Sequence, residues 1–159
     1  MPDNVDELTT EQLENLIANY RRKGKSDDTY LRALAEHGKR IGKGLDFNTT
    51  MAVVKKAARE GRFVSYGEIA EASGADWNQV HYSVGNHMYA LIEYCHHHGW
   101  PLLSAIVVNK PNVKTGAMEP ETLKGFIAGA RALGYVVSEP QSFLNEQQQR
   151  VFGWARAEL

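Results

Sequence analysis

Cysteine is nearly absent from the chain: Cys95 is the only one in 159 residues. A lone cysteine excludes an intrachain disulfide and makes a reducing compartment, the cytoplasm, the expected location. Long apolar runs are also missing. None approaches the roughly 20 residues that cross a bilayer, so no membrane contact is expected. The opening MPDNVDELTTEQ has neither the basic start nor the apolar centre of a secretory signal. Internal repeats and low-complexity linkers are lacking too. What is present is ordinary for a chain that folds around a core: 43% hydrophobic and 23% charged residues, in a length that suits one domain.

The net charge of −1 conceals an asymmetry. Residues 20–62 carry twelve Lys/Arg against five acids, a net +7; residues 1–19 carry five acids and no base; residues 63–159 are net −3. A block this basic can form a phosphate-facing surface. Equally, it can be a pair of helices with solvated charged faces.

Local signals divide the chain mainly into helices. Thr9 or Thr10 caps a helix from near Glu11, with Leu13, Leu16 and Ile17 as its apolar stripe. Ser26 or Asp27 caps a second, ended by Gly42 and Gly44; Asn48 or Thr49 opens a third, stopped by Gly61. Residues 63–65 read as a short strand, after which Ser65 caps a helix from Tyr66 to Ala72 closed by Gly74. Asp76 caps an expected long helix over 77–97, with Val80, Val84, Met88, Leu91 and Cys95 buried. Gly85 inside it costs about 1 kcal/mol relative to alanine, which suggests a close backbone approach. Residues 102–108 read as a buried strand, 109–118 as a polar loop, 119–133 as a helix and 135–137 as a strand. A last helix, from about Leu144 to Leu159, faces Val151, Phe152, Ala155 and Leu159 inward. The fold class expected is α+β, mostly α: a single domain with an N-terminal helical extension (1–45), a winged helix-turn-helix core (46–118) and a C-terminal extension packed on it (119–159).

The order helix, strand, short helix, turn, long helix, strand and basic loop is that of a winged helix-turn-helix. More specifically, Phe47, Val54, Gly61, the run Val64-Ser65-Tyr66-Gly67-Glu68-Ile69-Ala70-Glu71, Gly74, Val84-Gly85 and Val107-Val108-Asn109 resemble the C-terminal DNA-binding domain of the O-6-alkylguanine-DNA alkyltransferases and their catalytically inactive alkyltransferase-like relatives. The resemblance covers about 46–116. It implies double-stranded DNA as partner, bound through the minor groove with handling of extrahelical bases. Tyr66 takes the place of the tyrosine that helps rotate the target nucleotide. Tyr82 stands where the family has its intercalating arginine, and an aromatic ring can wedge between bases.

The departure concerns chemistry. The family's acceptor lies in Pro-Cys-His-Arg directly before Val-Val, whereas this chain reads Leu103-Ser104-Ala105-Ile106 before Val107. A thiolate accepts an alkyl group because a neighbouring base lowers its pKa and sulfur is strongly nucleophilic. Ser104 without that histidine has neither advantage, and Cys95 on the core stripe reads as a packed residue. No catalytic residue is therefore assigned. His96-His97-His98 invites a metal, but adjacent helical residues point about 100° apart, so no metal ligand and no cofactor is assigned.

These readings converge on a non-enzymatic DNA-binding protein of alkyltransferase-like winged-helix type, in damaged- or modified-base recognition or in regulation. The expected contacts are Ser65, Tyr66, Asn78, Gln79, His81, Tyr82 and Asn86 around the recognition helix, with Arg62, Lys110 and Lys114 gripping phosphates. Two alternatives stand beside it. One is a protein-interaction module using the acidic N-terminus and residues 119–159; the other is a nucleic-acid-modifying enzyme using the histidines.

Overall fold

In the computed structural model, which describes residues 4–41 and 44–158, the local stop and start signals act largely as their chemistry dictates. Helix α1 (Thr10–Lys23) opens on a reciprocal cap, the Thr9 hydroxyl accepting from the Gln12 amide at 3.1 Å and the Gln12 side chain from the Thr9 amide at 2.9 Å. The Asp27 carboxylate, accepting from the Tyr30 amide, opens α2 (Asp28–Ile41). Helix α3 (Phe47–Glu60) starts slightly before the expected Asn48 or Thr49, because Asp46 is its cap and accepts from the Thr49 amide and hydroxyl at 2.9 and 2.6 Å. Gly61, at φ +70°, ends it. Strand β1 (Val64–Ser65) runs into α4 (Tyr66–Ala72), and Ser65 and Glu68 form a second reciprocal cap. The expected role of Gly42, and that of Leu159, lie outside the described residues.

Three expectations need correction. The helix expected over 77–97 is two: α5 (Trp77–Val80) and α6 (Val84–His97). At the break the Ser83 amide bonds back to the Val80 carbonyl at 2.8 Å, tightening the chain by one residue, so His81 and Tyr82 lie in a turn. Of the strand expected over 102–108, only β2 (Val107–Val108) is extended. Residues Leu103–Ile106 coil into a buried 3-10 turn, and an apolar run alone cannot distinguish the two. Residues 135–137 are not a strand. Tyr135 turns to His96, Val136 is 90% exposed, and the Val137 carbonyl accepts from Arg131. Helix α7 (Pro120–Ala132) falls close to where it is expected, and α8 (Pro140–Glu158) begins one turn early.

The result is mostly helical, with β1 and β2 paired in parallel as a two-stranded sheet, Val64 opposite Val107 and Ser65 opposite Val108. Among the described residues, 109–118 forms no antiparallel hairpin; it is a loop containing a 3-10 turn at Lys110–Asn112.

The main core gathers α3, α4, α6, the 102–108 segment, α7 and α8 around residues such as Val54, Leu91, Ile106 and Leu144. The extension α1–α2 has its own cluster of Leu13, Ile17, Tyr30 and Leu34, and Tyr94 touches both. The seam between them combines apolar packing, with Ala35 and Ile41 against the main core, and a polar contact. The buried Glu93 carboxylate accepts from Arg21 at 2.9 and 2.6 Å and from the Tyr30 hydroxyl at 3.1 Å. A buried carboxylate is tolerated only when so satisfied.

Helix α8 holds the irregular part of the core through two buried glutamines. Gln147 accepts from the Leu102 amide at 3.0 Å. Gln148 donates to the carbonyls of Ala105 at 3.0 Å and Gly116 at 2.8 Å, tying the 3-10 turn and the 109–118 loop to one helix. Phe152 packs edge-on against Phe63 and Trp154 against Trp100. Gln148→Leu leaves two buried carbonyls without donors and is expected to cost roughly 2 kcal/mol or more, read as a lower urea midpoint at unchanged slope.

His87 is fully buried, with Nε2 2.8 Å from the Thr50 hydroxyl, and burial pushes its pKa below the usual histidine value. Its stabilising contribution is therefore complete above about pH 6.5 and is lost as pH falls toward the depressed folded-state pKa. His37, His97 and His98 shift the same way, each mainly through burial. The melting temperature should fall between pH 7.5 and 5, and His87→Gln should flatten that slope.

Candidate nucleobase pocket and aromatic approach

A mainly apolar cavity of about 320 Å³ lies between α6 and α7. Each wall is placed by a local feature already described. The Ser65 cap directs the first residue of α4, Tyr66, to one side, and the Asp76 cap directs the first residue of α5, Trp77, beside it. The two rings stack at 6.4 Å with planes 25° apart. Gly85, Met88, Tyr89 and Ile92 contribute one stripe of α6, and Gly125, Phe126 and Gly129 the facing stripe of α7. Ser104, Asn109, Glu121 and Thr122 are the polar groups. Tyr66 packs against the core with a hydroxyl pKa pushed up to about 12 by burial, so it is a neutral phenol at ordinary pH.

An aromatic run leads from this cavity to solvent. Trp77, 40% exposed, lies 5.9 Å from His81, and His81 lies 3.8 Å from Tyr82, which is 84% exposed. The turn at 81–83, rather than a helix face, is what projects Tyr82. Asn78, Gln79 and Asn86 are exposed on the flanking helices. The expected contact residues on α4, α5 and the turn therefore share one neighbourhood.

The expected phosphate contacts are more scattered. Lys110 and Lys114 are exposed on the loop after β2. Arg62 is held by Glu60 at 2.8 Å and approaches Glu68 at 3.8 Å. Part of the basic block of 20–62 is committed to contacts within the protein. Arg21, Arg32 and Arg40 pair with Glu93, Asp28 and Glu36, and Lys55 sits 4.6 Å over the Trp100 ring. On α6, Glu93 and His97, which meet α1–α2, follow the cavity residue Tyr89 at successive steps of one helical turn.

The other residues singled out for chemistry are dispersed. His96 bonds the Tyr135 hydroxyl, His97 packs on Tyr30, and His98 stacks on Trp100, so the three imidazoles diverge. Burial pushes the Cys95 thiol up to about 12. Ser104 does reach the cavity wall, and no histidine, lysine or cysteine lines that wall with it among the described residues.

Sequence reasoning missed α7 as a wall of the site. Its signal was the pair Gly125 and Gly129, one helical turn apart, and the two do different things. A Cβ on Gly129 would come within 2.9 Å of Ile92 Cδ1 and 3.2 Å of Tyr89 Cδ1, so this glycine permits close helix contact. A Cβ on Gly125 would meet nothing within 4 Å, and the same holds for Gly85 across the cavity. The close approach expected at Gly85 is therefore absent within the described chain; it borders open space. Gly125→Ala should be neutral or stabilising by up to about 1 kcal/mol, whereas Gly129→Leu should destabilise by roughly 1–3 kcal/mol through overpacking; paired urea melts check both.

Searches against protein-family models, curated proteins and solved structures each find no match to this chain.

Proposed function

We propose that the chain is a non-enzymatic protein that binds double-stranded DNA in the manner of the alkyltransferase-like winged helices and accommodates a damaged, modified or extrahelical base. One observation carries this reading: a run of aromatic rings, from exposed Tyr82 through His81 and Trp77 to Tyr66, ends at a largely apolar cavity. Stacking surfaces of this kind favour unpaired bases, whose π-faces are free. A base leaves the duplex most cheaply at a lesion or mismatch. On this reading Tyr82 fills the vacated stack, Tyr66 and Trp77 guide the base, and Asn78, Gln79 and Asn86 border the groove. Lys110 and Lys114 supply phosphate contacts; in this winged-helix reading, the loop 109–118 stands where a wing would, without a hairpin. Ser104, at the acceptor position of the resemblance, has no histidine, lysine or cysteine lining the cavity with it among the described residues, which favours binding over alkyl transfer.

A protein-interaction role is the second reading, and the almost wholly exposed Val136 on the loop between α7 and α8 favours it. Duplex binding separates the two. DNA binding should weaken with added salt, with a log–log slope near the number of phosphates contacted. Tyr82→Ala should reduce affinity for a mismatched or abasic duplex by roughly 1–3 kcal/mol and leave intact duplex nearly unchanged. Lys114→Ala should weaken all duplexes alike and lower the salt slope by about one. Absence of binding at low salt would overturn the DNA reading.

A further inference from the structure

Two helical glycines border the same cavity without a packing reason inside the described chain. Gly85 and Gly125 are at helical positions, neither has a positive φ, and a Cβ at either would touch nothing within 4 Å. An alanine at Gly125, in the interior of α7, would strengthen that helix by about 1 kcal/mol. The contrast with Gly38 and Gly129 is direct, since a Cβ on those would strike Phe47 at 2.7 Å and Ile92 at 2.9 Å. Gly38 and Gly129 are required by the protein's own packing; Gly85 and Gly125 leave the edge of the cavity open.

The polar groups around that space define its edge. The Thr122 hydroxyl donates to Asn109 Oδ1 at 3.0 Å, which fixes the amide and leaves Asn109 Nδ2 as a donor. The Ser104 side chain, in a residue 5% exposed, and the Glu121 carboxylate have no hydrogen-bond or ion-pair partner among the described residues. The cavity thus offers a carboxylate acceptor from α7 and an amide donor from the end of β2, between aromatic and aliphatic walls. Tyr66, Trp77 and Phe126 supply faces for a flat ring. A carboxylate accepts from an exocyclic amino group, as in the pairing of Glu or Asp with cytosine N4, while an amide donor complements an unprotonated ring nitrogen.

We propose that this pocket selects a base bearing an amino group beside an unprotonated ring nitrogen, the edge shared by cytosine and adenine, and that Glu121 of α7 is the residue that sets the choice. The proposal rests on reading the cavity as a base pocket. Uracil and hypoxanthine have nearly the same shapes but place a carbonyl oxygen where the amino group stands and a protonated nitrogen beside it. Against Glu121 that oxygen is acceptor facing acceptor, and Asn109 Nδ2 loses its acceptor. Glu121 is exposed and Asn109 half-buried, so the discrimination comes from a lost donor at one contact and acceptor facing acceptor at the other. The specificity determinant then sits on α7, outside the 46–116 region that resembles the alkyltransferases.

The test uses the full chain and matched amino/oxo pairs. Duplexes carrying one central unpaired dC, dU, dA or dI are titrated at fixed salt, and free cytidine, uridine, adenosine and inosine are titrated separately by calorimetry. The expected result is a preference of at least about tenfold for dC over dU and for dA over dI, with the same order among the nucleosides. Glu121→Gln, an exposed position on the first turn of α7, should abolish or invert the preference, because an amide can donate to the carbonyl. Gly125→Leu should weaken all four unpaired bases while leaving fully paired duplex binding and the melting temperature in place. Duplex binding without amino/oxo discrimination overturns this inference and leaves the DNA reading standing. If no duplex binds, the DNA reading fails, and the nucleoside series decides alone: equal or undetectable binding of cytidine and uridine, and of adenosine and inosine, overturns the inference.

Discussion

The contact on which the rest of the site depends is the approach of α7 to α6 at Gly129. With no side chain there, the Ile92 and Tyr89 side chains of α6 can lie directly against the α7 backbone. One turn earlier Gly125 removes another side chain, but no protein atom fills that space, so the helices touch at one level and part at the next. The cavity is the volume left by that divergence. Its opposite wall is set independently, by the Ser65 and Asp76 caps that start α4 and α5 on the aromatic residues Tyr66 and Trp77. A helix contact and two caps, each of ordinary strength, therefore determine the pocket together.

Around this site the structure spends its buried polar groups on irregular segments. The 3-10 turn Leu103–Ile106 and the 109–118 loop cannot satisfy their own carbonyls, and Gln148 supplies the missing donors from α8 while Gln147 receives the Leu102 amide. Glu93 does the equivalent for the extension, joining α1 and α2 to α6 through Arg21 and Tyr30. Part of the charge of the strongly basic 20–62 segment is committed in the same way, Arg21 to Glu93 and Arg40 to Glu36.

What was legible in the sequence was local. Thr9, Ser65 and Asp76 cap as expected because an Ncap bond spans only two or three residues and needs no tertiary partner. The exposure of Tyr82 was also readable, though for the wrong reason: it projects from a turn, not from a helix face. Where outcomes depended on distant partners, the sequence was ambiguous. Residues 102–106 are apolar enough for a strand, but the Leu102 amide is taken by Gln147, forty-five residues away. Val136 and Val137 have strand-like side chains, yet no neighbouring strand lies beside them among the described residues. The same holds for the site. Tyr66 and Ser104 could be singled out from the resemblance, while Glu121, Thr122 and Gly125 join them only because α7 folds back across α6.

The positions that break local rules are not spread evenly. A helix interrupted at 81–83, a glycine one residue inside α6, a second glycine inside α7 with open space beside it, and the two exposed aromatics Trp77 and Tyr82 all fall around one cavity. Each is unfavourable by itself: the glycines lower helix propensity, and the exposed rings forgo burial. Elsewhere the caps and packing of α1 and α3 agree with their sequence, and the exceptions away from the cavity are Gly153 inside α8 and the exposed Val136. Folded chains generally satisfy every level of constraint at once except where something other than folding decides the residue. Several of these exceptions gather at the α4–α5–α6–α7 junction, where the space beside the glycines and the faces of the exposed rings lie open together.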